Sequence, residues 1–369
     1  VSTPTSPVGV GLIGAGVISD TYLENLTSFP DLKVLFVADL DEPRAKAQAE
    51  KHGVPAGGSV DELLAHPDIE LVVNLTIPVV HVEVGLRVIA AGKHLWSEKP
   101  ISLDRESGAQ LLDAAEAAGV RVGCAPDTFL GAGLQTAFRI IARGDIGTPL
   151  TALALFQSPG PESWHPNPAF LFQEGAGPMF DVGVYYLTAL AHTLGPFARV
   201  AGLGSTSRAS RVIGSGPKAG ESFDVTVPSH VGALLQFESG QSGQAVFSFD
   251  SKLRRTGVVE IAGTEGTIVF PDPNNFDGDI LVYGAGEEPT VIPAVGHTST
   301  RGTGALEMAQ AIREGRPHRA SGASALHVLD TMVSIAESVE SGSFVEVASS
   351  FEPSPALPED WDPKVATLQ

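Results

Sequence analysis

The run Val8-Gly9-Val10-Gly11-Leu12-Ile13-Gly14-Ala15-Gly16-Val17-Ile18-Ser19 carries an apolar β-branched stretch into glycines and then into a helical pattern. Glycine lets the backbone turn sharply and approach a ligand closely. The first N–H groups of the helix that follows point at whatever occupies the turn, preferably an anion. In a strand–turn–helix context this is the mark of a dinucleotide pyrophosphate site. Ser19 stands where the fingerprint has a third Gly or Ala, and it is small enough for close helix–strand packing. Asp39 is the second half of the pattern. It closes the next apolar run, Lys33-Val34-Leu35-Phe36-Val37-Ala38, about 20 residues beyond the turn, where an acid binds the ribose hydroxyls. A carboxylate there repels a 2′-phosphate and favours NAD over NADP, with NADP still possible. The competing readings are a plain glycine-rich turn and an Asp that caps a helix starting near Pro43.

Two further segments end strands in polar or turn residues: Asn74-x-Thr76-x-Pro78, with His81 three residues on, and Glu98-Lys99-Pro100. Ligands of a parallel sheet bind beyond the carboxyl ends of its strands. The glycine turn, Asp39 and these two segments are therefore expected to face one crevice. The expected cofactor contacts are Gly14, Gly16, Val17, Ile18, Asp39, Asn74, Thr76, Pro78, His81, Glu98 and Lys99. Asp127 and Thr128 follow the last strand of the same region and can approach ribose or substrate, or serve the turn. Farther along, Asp181 and Tyr185 stand four apart on a predicted helix, so they share a face. Asp181 can equally cap that helix, and Tyr185 can equally pack in its core. The loop before it carries Trp164-His165-Pro166-Asn167-Pro168: an aromatic face and two hydrogen-bonding groups, or an aromatic lid closed by Phe170 and Phe172. His192, His230, His297, His318 and His327 are scattered and read as ordinary. No His/carboxylate cluster has metal-ligand spacing, so no metal is expected.

The elements that must hold these residues follow from periodicity. Over 8–125 strands and helices alternate. Ser59-x-x-Glu62 opens a short helix as a capping box, Asp104 caps a helix running to Ala118, and Val120–Cys124 is the last strand. Repeated βα units imply a parallel sheet with right-handed crossovers. After Pro126 helices are expected over Leu134–Arg143 and Phe180–Leu194, with strand-like runs dominating from Ala198 to Ile292. Val231–Phe237 and Gln244–Phe249 form a hairpin in this reading. The fold class is thus an α/β Rossmann domain with a parallel sheet, followed by an α+β domain with a large open, mainly antiparallel sheet. The boundaries are a flexible arm over 1–7, the dinucleotide-binding domain over 8–125, a substrate-binding and oligomerisation domain over 126–350, and a C-terminal arm over 351–369.

The composition agrees. The 369 residues are 43% hydrophobic and 18% charged, with a net charge of −20, which suits a buried globular core and argues against nucleic acid or an anionic membrane as partner. No apolar run approaches a membrane span, and Val1–Pro7 lacks the basic and apolar regions of a signal peptide. The lone Cys124 excludes an internal disulfide. The expected location is the cytoplasm.

The chain resembles the Gfo/Idh/MocA oxidoreductases, the glucose–fructose oxidoreductase and inositol dehydrogenase group. The resemblance rests on the glycine turn, Asp39, Asn74-x-Thr76-x-Pro78-x-x-His81 and Glu98-Lys99-Pro100, with Ile261-Ala262-Gly263-Thr264-Glu265-Gly266 resembling the late strand–turn signature. Asp181-Val182-Gly183-Val184-Tyr185 stands where the family has Asp-x-Gly-x-His. The resemblance implies hydride transfer between NAD(P) and a hydroxyl or carbonyl carbon of a sugar, sugar derivative or cyclitol, and association as a homodimer or homotetramer through the C-terminal sheet. It also implies a catalytic set of Lys99, Asp181 and Tyr185, and a cis bond before Pro100. Lys99 would polarise the reacting oxygen and favour phenolate on Tyr185. Substrate contacts would come from Lys99, Asp127, Trp164, His165, Asn167, Asp181 and Tyr185. Tyr185 replaces the family His, Tyr186 beside it complicates the choice, and His165 is an alternative base. Two other activities occur among such relatives: glycoside cleavage through transient oxidation and elimination, and non-catalytic NAD-binding regulation.

Overall fold

The computed structural model describes residues 6–286 and 288–368. The first five positions of the expected N-terminal arm, and Gln369, lie outside the described residues. Contacts divide the chain into two units: the described part of Val1–Gly131 with Gly296–Leu329 and Ser354–Gln369, and Ala132–Val295 with Asp330–Pro353.

The first unit is built on six parallel strands: β1 (Val8–Ile13), β2 (Leu32–Ala38), β3 (Ala56–Gly58), β4 (Leu71–Asn74), β5 (His94–Ser97) and β6 (Val122–Cys124). Their order is β3-β2-β1-β4-β5-β6, the doubly wound arrangement in which the chain reverses direction beside β1. Every residue of β1 and β4 is buried, as expected for strands covered by helices on both faces. The connecting helices start as their sequences predict. Ser59 and Glu62 form a reciprocal capping box, and the Asp104 side chain accepts from the Ser107 N–H. β3 has the sequence Ala-Gly-Gly and was not foreseen, because glycine is depleted in strands.

The unit is discontinuous, unlike the four segments read from the sequence. Helix Thr303–Glu314 packs against helix Ile18–Leu26 and β6, with Gly304 against the Trp96 ring. The C-terminal segment is tied to the same unit rather than being a loose arm. Fully buried Asp31 accepts hydrogen bonds from the Thr367 and Leu368 N–H groups, the Thr367 hydroxyl and the Gln310 amide. These bonds hold the Asp31 carboxyl below its ordinary pKa although burial pushes the other way.

The second unit is a nine-stranded sheet, β16-β15-β14-β13-β7-β12-β11-β8-β17. Its strands are β7 (Pro149–Gln157), β8 (Phe197–Ser205), β11 (His230–Phe237), β12 (Ser242–Ser248), β13 (Arg255–Gly263), β14 (Thr267–Val269), β15 (Ile280–Tyr283), β16 (Thr290–Ile292) and β17 (Val345–Glu346). β9 (Ser210–Val212) and β10 (Ser222–Asp224) form a separate two-stranded ribbon. All neighbours in the large sheet are antiparallel except β7 and β12, and β11–β12 is the expected hairpin. Along β11 burial alternates with period two, so one face is packed and the other is open. Leu203, Leu234 and Phe344 are exposed and line a shallow apolar groove of about 640 Å³.

Candidate active site

The β1 strand ends in Gly14, whose φ of +104° lies where L-residues rarely go. A Cβ there would meet the Leu75 carbonyl carbon and oxygen at 2.7 Å, so only glycine lets the turn pass this close to the end of β4. Gly16 has nothing within 4 Å of the Cβ position and is exposed. Helix Ile18–Leu26 then begins with no side-chain cap at its N-terminus, which leaves amide N–H groups available to an anion. Ser19, in the third position of the fingerprint, is fully buried. Its hydroxyl donates to the Gly16 carbonyl at 2.6 Å and accepts from Gln48 Nε2 at 2.8 Å, so a hydroxyl is accommodated where the fingerprint has a methyl group or a hydrogen.

Asp39 follows β2 and does not cap the next helix. The cap of helix Glu42–Lys51 is Asp41, which accepts from the Arg44 N–H. Asp39 Oδ2 accepts from the Ala15 N–H at 2.7 Å, and Oδ1 from the Asp41 N–H at 2.9 Å. Burial by itself would raise the Asp39 pKa, but the Arg44 side chain and the two amides outweigh it and hold the carboxyl below its ordinary value.

The segments after β4 and β5 are tied to each other. Asn74 is fully buried; its Oδ1 accepts from the Thr76 N–H and hydroxyl, and its Nδ2 donates to the His81 carbonyl. The buried His81 ring lies 2.9 Å from the Thr76 carbonyl oxygen and 2.7 Å from that of Pro100, so it bridges the two loops. Asn74 and His81 therefore spend their side-chain hydrogen bonds in tying these two loops together. Thr76 is half-buried and Pro78 exposed at its rim. The Lys99–Pro100 bond is cis, as the resemblance implied, and Lys99 is half-buried. Glu98 holds this loop in place. Its Oε1 accepts from the Tyr22 hydroxyl at 2.7 Å, and its Oε2 from the Lys99 N–H at 3.0 Å. Burial and the Glu98 carboxylate together push the Tyr22 pKa well up, so Tyr22 remains a donor.

Asp127 is fully buried. Its Oδ2 accepts from the N–H groups of Gly302 and Gly304 at 2.9 and 3.1 Å, anchoring the start of helix Thr303–Glu314. Its Oδ1 has no hydrogen-bond partner among the described residues. Burial raises its pKa to about 6 against the pull of Arg301.

The sequence missed three apolar side chains at the same edge of the first unit. Leu40 is 97% exposed, Ile77 64% and Val79 67%, joining the expected Val17 at 94%. Large apolar groups left open beside a polar turn are what flat aromatic rings pack against. Only Leu40 carried a signal in the sequence, an apolar residue directly after the strand-ending Asp39.

In the second unit the expected helix over Phe180–Leu194 splits. Met179–Gly183 is a π turn and Val184–Leu194 is α-helical. Such turns recur at functional sites. Pro178, not Asp181, takes the cap position, and Asp181 lies inside the π turn with its residue half-buried. Gly183 permits the turn to sit on the Phe247 ring, which a Cβ would meet at 3.1 Å. Tyr185 and Tyr186 are now distinguishable. Tyr186 is fully buried, its hydroxyl oxygen accepts from the Gly257 N–H at 2.7 Å, and burial pushes its pKa up; it is a structural residue. Tyr185 retains 6% exposure.

The loop before the π turn is clamped by the β9–β10 ribbon. Buried Arg211 on β9 bonds to Glu162, Asp250 and the Pro159 carbonyl and stacks on the Phe172 ring. Between these anchors Trp164 and Asn167 are exposed and His165 is half-buried. His165 lies edge-on to Trp164 and Phe170, each 5.5 Å away. Among the described residues no group of His, Cys, Asp and Glu could hold a metal ion, and no helix is long and apolar enough to cross a membrane.

The glycine cradle, the uncapped helix start and the ordered ribose-side carboxylate fit a dinucleotide, and they define the first unit as a dinucleotide-binding domain of the Rossmann class. Comparison with known proteins agrees. The description "Oxidoreductase family, NAD-binding Rossmann fold" matches residues 8–125, and "GFO/IDH/MocA C-terminal domain" matches residues 134–269. The chain belongs to the Gfo/Idh/MocA family and is an NAD-binding oxidoreductase. It is 27% identical over 309 residues to a trans-1,2-dihydrobenzene-1,2-diol dehydrogenase of Bos taurus, covering 82% of this chain and 87% of that one. It is 28% identical over 265 residues to a 1,5-anhydro-D-fructose reductase of Ensifer adhaerens, covering 70% and 74%. In fold it is similar to a levoglucosan dehydrogenase solved with NADH and L-sorbose, with a TM-score of 0.81 at 22% identity over 93% of this chain and 99% of the other.

Proposed function

We propose that this oxidoreductase moves a hydride between its nicotinamide cofactor and a secondary carbinol or carbonyl carbon of a cyclic sugar, sugar derivative or cyclitol. The supporting observation is the position of Lys99. It is half-buried at the carboxyl end of β5, the strand edge that also carries the glycine turn and Asp39, and its loop is braced by Glu98, Tyr22 and His81. These contacts hold the backbone from which the Lys99 side chain starts. When bound, the nicotinamide supplies the hydride acceptor or donor. Lys99 orients the reacting oxygen and stabilises the negative charge that develops on it. Tyr185, or His165, moves the proton between that oxygen and solvent, Asp181 orients neighbouring hydroxyls, and Trp164 and Asn167 offer a stacking face and a hydrogen-bonding group. The names of the relatives, a dihydrobenzenediol dehydrogenase and an anhydro-fructose reductase, support oxygenated ring substrates.

The test is Lys99→Ala against a panel of sugars and cyclitols. NADH formation is expected to vanish while calorimetry still detects NAD+ binding; undiminished turnover would refute the assignment. We further infer that the open face of the nine-stranded sheet pairs with a second copy as a homodimer or homotetramer, since Leu203, Leu234 and Phe344 are otherwise exposed to water. A monomeric mass by light scattering at micromolar concentration would exclude this.

A further inference from the structure

Between β7 and the π turn the chain has no regular structure longer than the turns Pro161–Ser163 and Ala169–Phe172. A binding surface on such a loop loses affinity whenever it must be ordered at each encounter. Here the surface is tied together and then held from outside. The Trp164 and His165 N–H groups both donate to the Pro161 carbonyl, at 3.1 and 2.8 Å. His165 Nδ1 accepts from the Asn167 N–H at 3.0 Å. Trp164, His165 and Asn167 are therefore linked to Pro161, and the next residue is Glu162, whose carboxylate accepts from Arg211 Nη1.

Arg211 is itself fixed. Nη1 also donates to the Pro159 carbonyl at 3.3 Å, and Nη2 donates to the Asp250 carboxylate and to the Phe249 carbonyl at 3.2 Å. Its guanidinium carbon lies 4.7 Å from the centre of the Phe172 ring. Asp250 accepts in turn from the Ser207 and Ser229 hydroxyls, each at 2.6 Å. One planar fork thus joins the start of the loop, through Glu162, and its far side, through Phe172, to the chain that follows β12. An ammonium is a point charge and cannot reproduce that fork. The ribbon touches the loop a second time. The Gly214 N–H donates to the Glu162 carbonyl at 2.8 Å. Gly216, at a φ of +75°, passes so close that a Cβ would meet Pro166 Cβ at 2.6 Å.

We propose that Arg211 is a positioning residue for substrate. It holds the Trp164–Asn167 surface in its binding arrangement, and so sets the affinity for ring substrates while leaving the nucleotide and the hydride step untouched. The inference rests on the reading of Trp164 and Asn167 as substrate contacts and of Tyr185 as proton carrier. Loosening a preformed surface weakens ground state and transition state alike, so KM rises and kcat holds. Loss of an arginine that serves folding alone does something different: it lowers the folded fraction, so kcat falls at constant KM.

Steady-state kinetics of the full chain test it, with the ring substrate of highest kcat/KM in the sugar and cyclitol panel, on Arg211→Lys, Gly216→Ala and Trp164→Ala. Arg211→Lys keeps a cation beside Glu162 and Asp250 without the fork. Gly216→Ala displaces Pro166 with every charge in place. Each is expected to raise KM at least ~10-fold, the scale of side-chain ordering newly charged to binding. The expected kcat stays within about threefold, and the NAD+ dissociation constant by calorimetry within about twofold. Amide hydrogen exchange should quicken over residues 160–173 and not along β11 or β12. If Trp164→Ala raises KM while both clamp variants leave it unchanged, the proposal is overturned and the loop remains a substrate contact. A fall in kcat at constant KM, with a lower melting temperature, assigns Arg211 to folding and also overturns it. If Arg211→Lys does not fold, an unchanged KM in Gly216→Ala overturns it alone. No effect of Trp164→Ala on KM, or no turnover of the panel by wild type, overturns the substrate reading and the proposal together.

Discussion

Two adjacent tyrosines give the sharpest separation of chemistry from scaffolding. Tyr186→Phe removes the oxygen that accepts from the Gly257 N–H at 2.7 Å. An amide stripped of its partner costs about 1–3 kcal/mol when buried. Gly257 is only half-buried, so water recovers part of that loss and about 1 kcal/mol is expected. For a unit of this size that lowers the melting temperature by about 2–4 °C. The ring itself stays, with its edge contacts to Phe156 and Phe247, so the catalytic rate should be nearly unchanged. Tyr185→Phe should do the reverse. Loss of a positioned proton carrier lowers kcat by about 10²–10⁴-fold, with a smaller effect on melting than its neighbour. The assay is NADH absorbance under saturating nucleotide, paired with thermal denaturation of both variants. Full activity in Tyr185→Phe, or collapse of activity in Tyr186→Phe with unchanged melting, would refute the division of labour and move attention to His165.

Two further outcomes follow from the first unit. Gly14→Ala forces a Cβ onto the Leu75 carbonyl at 2.7 Å from a φ of +104°; it should lose about 2–4 kcal/mol of stability and bind NAD+ poorly. Gly16→Ala, with open space around the Cβ position, should weaken NAD+ without lowering the melting temperature, and equal melting losses in the two variants would contradict the cradle. Asp127 predicts a pH effect of definite sign. Its pKa is raised from 3.8 to about 6 by burial, so the folded protein holds a proton that the unfolded chain releases. The stabilisation is complete below pH 3.8 and is lost as pH rises through about 6; the total is on the order of 3 kcal/mol. Asp127→Asn keeps an acceptor for Gly302 and Gly304 but cannot ionise. Its melting temperature should therefore gain on wild type across that window, and a constant difference from pH 4 to pH 7 would exclude the assignment.

Much of the fold was legible because its signals are local. Buried β-branched runs, the Ser59–Glu62 capping box and the Asp104 cap each depend on residues a few positions apart, and each formed where expected. What escaped was either irregular or distant. β3 is Ala-Gly-Gly, with nothing to mark a strand. The π turn at Met179–Gly183 lies in a segment so uniformly apolar that periodicity could not register one extra residue per turn. At the site, residue types identified Asp39 and the glycine turn, but not their partners. Arg44 reads as one more charge on a solvated helix until its contact with Asp39 is seen. Asn74 and His81 carry groups that could bind a ligand, and only the structure shows that their side-chain hydrogen bonds are made within the protein. Spacing from Asp181 singles out Tyr185 but says nothing of what Tyr186 does beside it, and the bond from the Gly257 amide supplies that.

The bonds on Asp31 bear on how the chain matures at the ribosome. Its donors on Thr367 lie 336 residues downstream, and Gln310 is almost as far. At about 5–20 residues per second, translation delivers those partners on the order of tens of seconds after β2 has emerged. Until Gln310 emerges, the nascent nucleotide-binding half has an acidic side chain in its future interior and none of the four groups that neutralise its need for hydrogen bonds, and until Thr367 emerges it has at most one of them. That half consequently reaches its final form last, although most of it is made first.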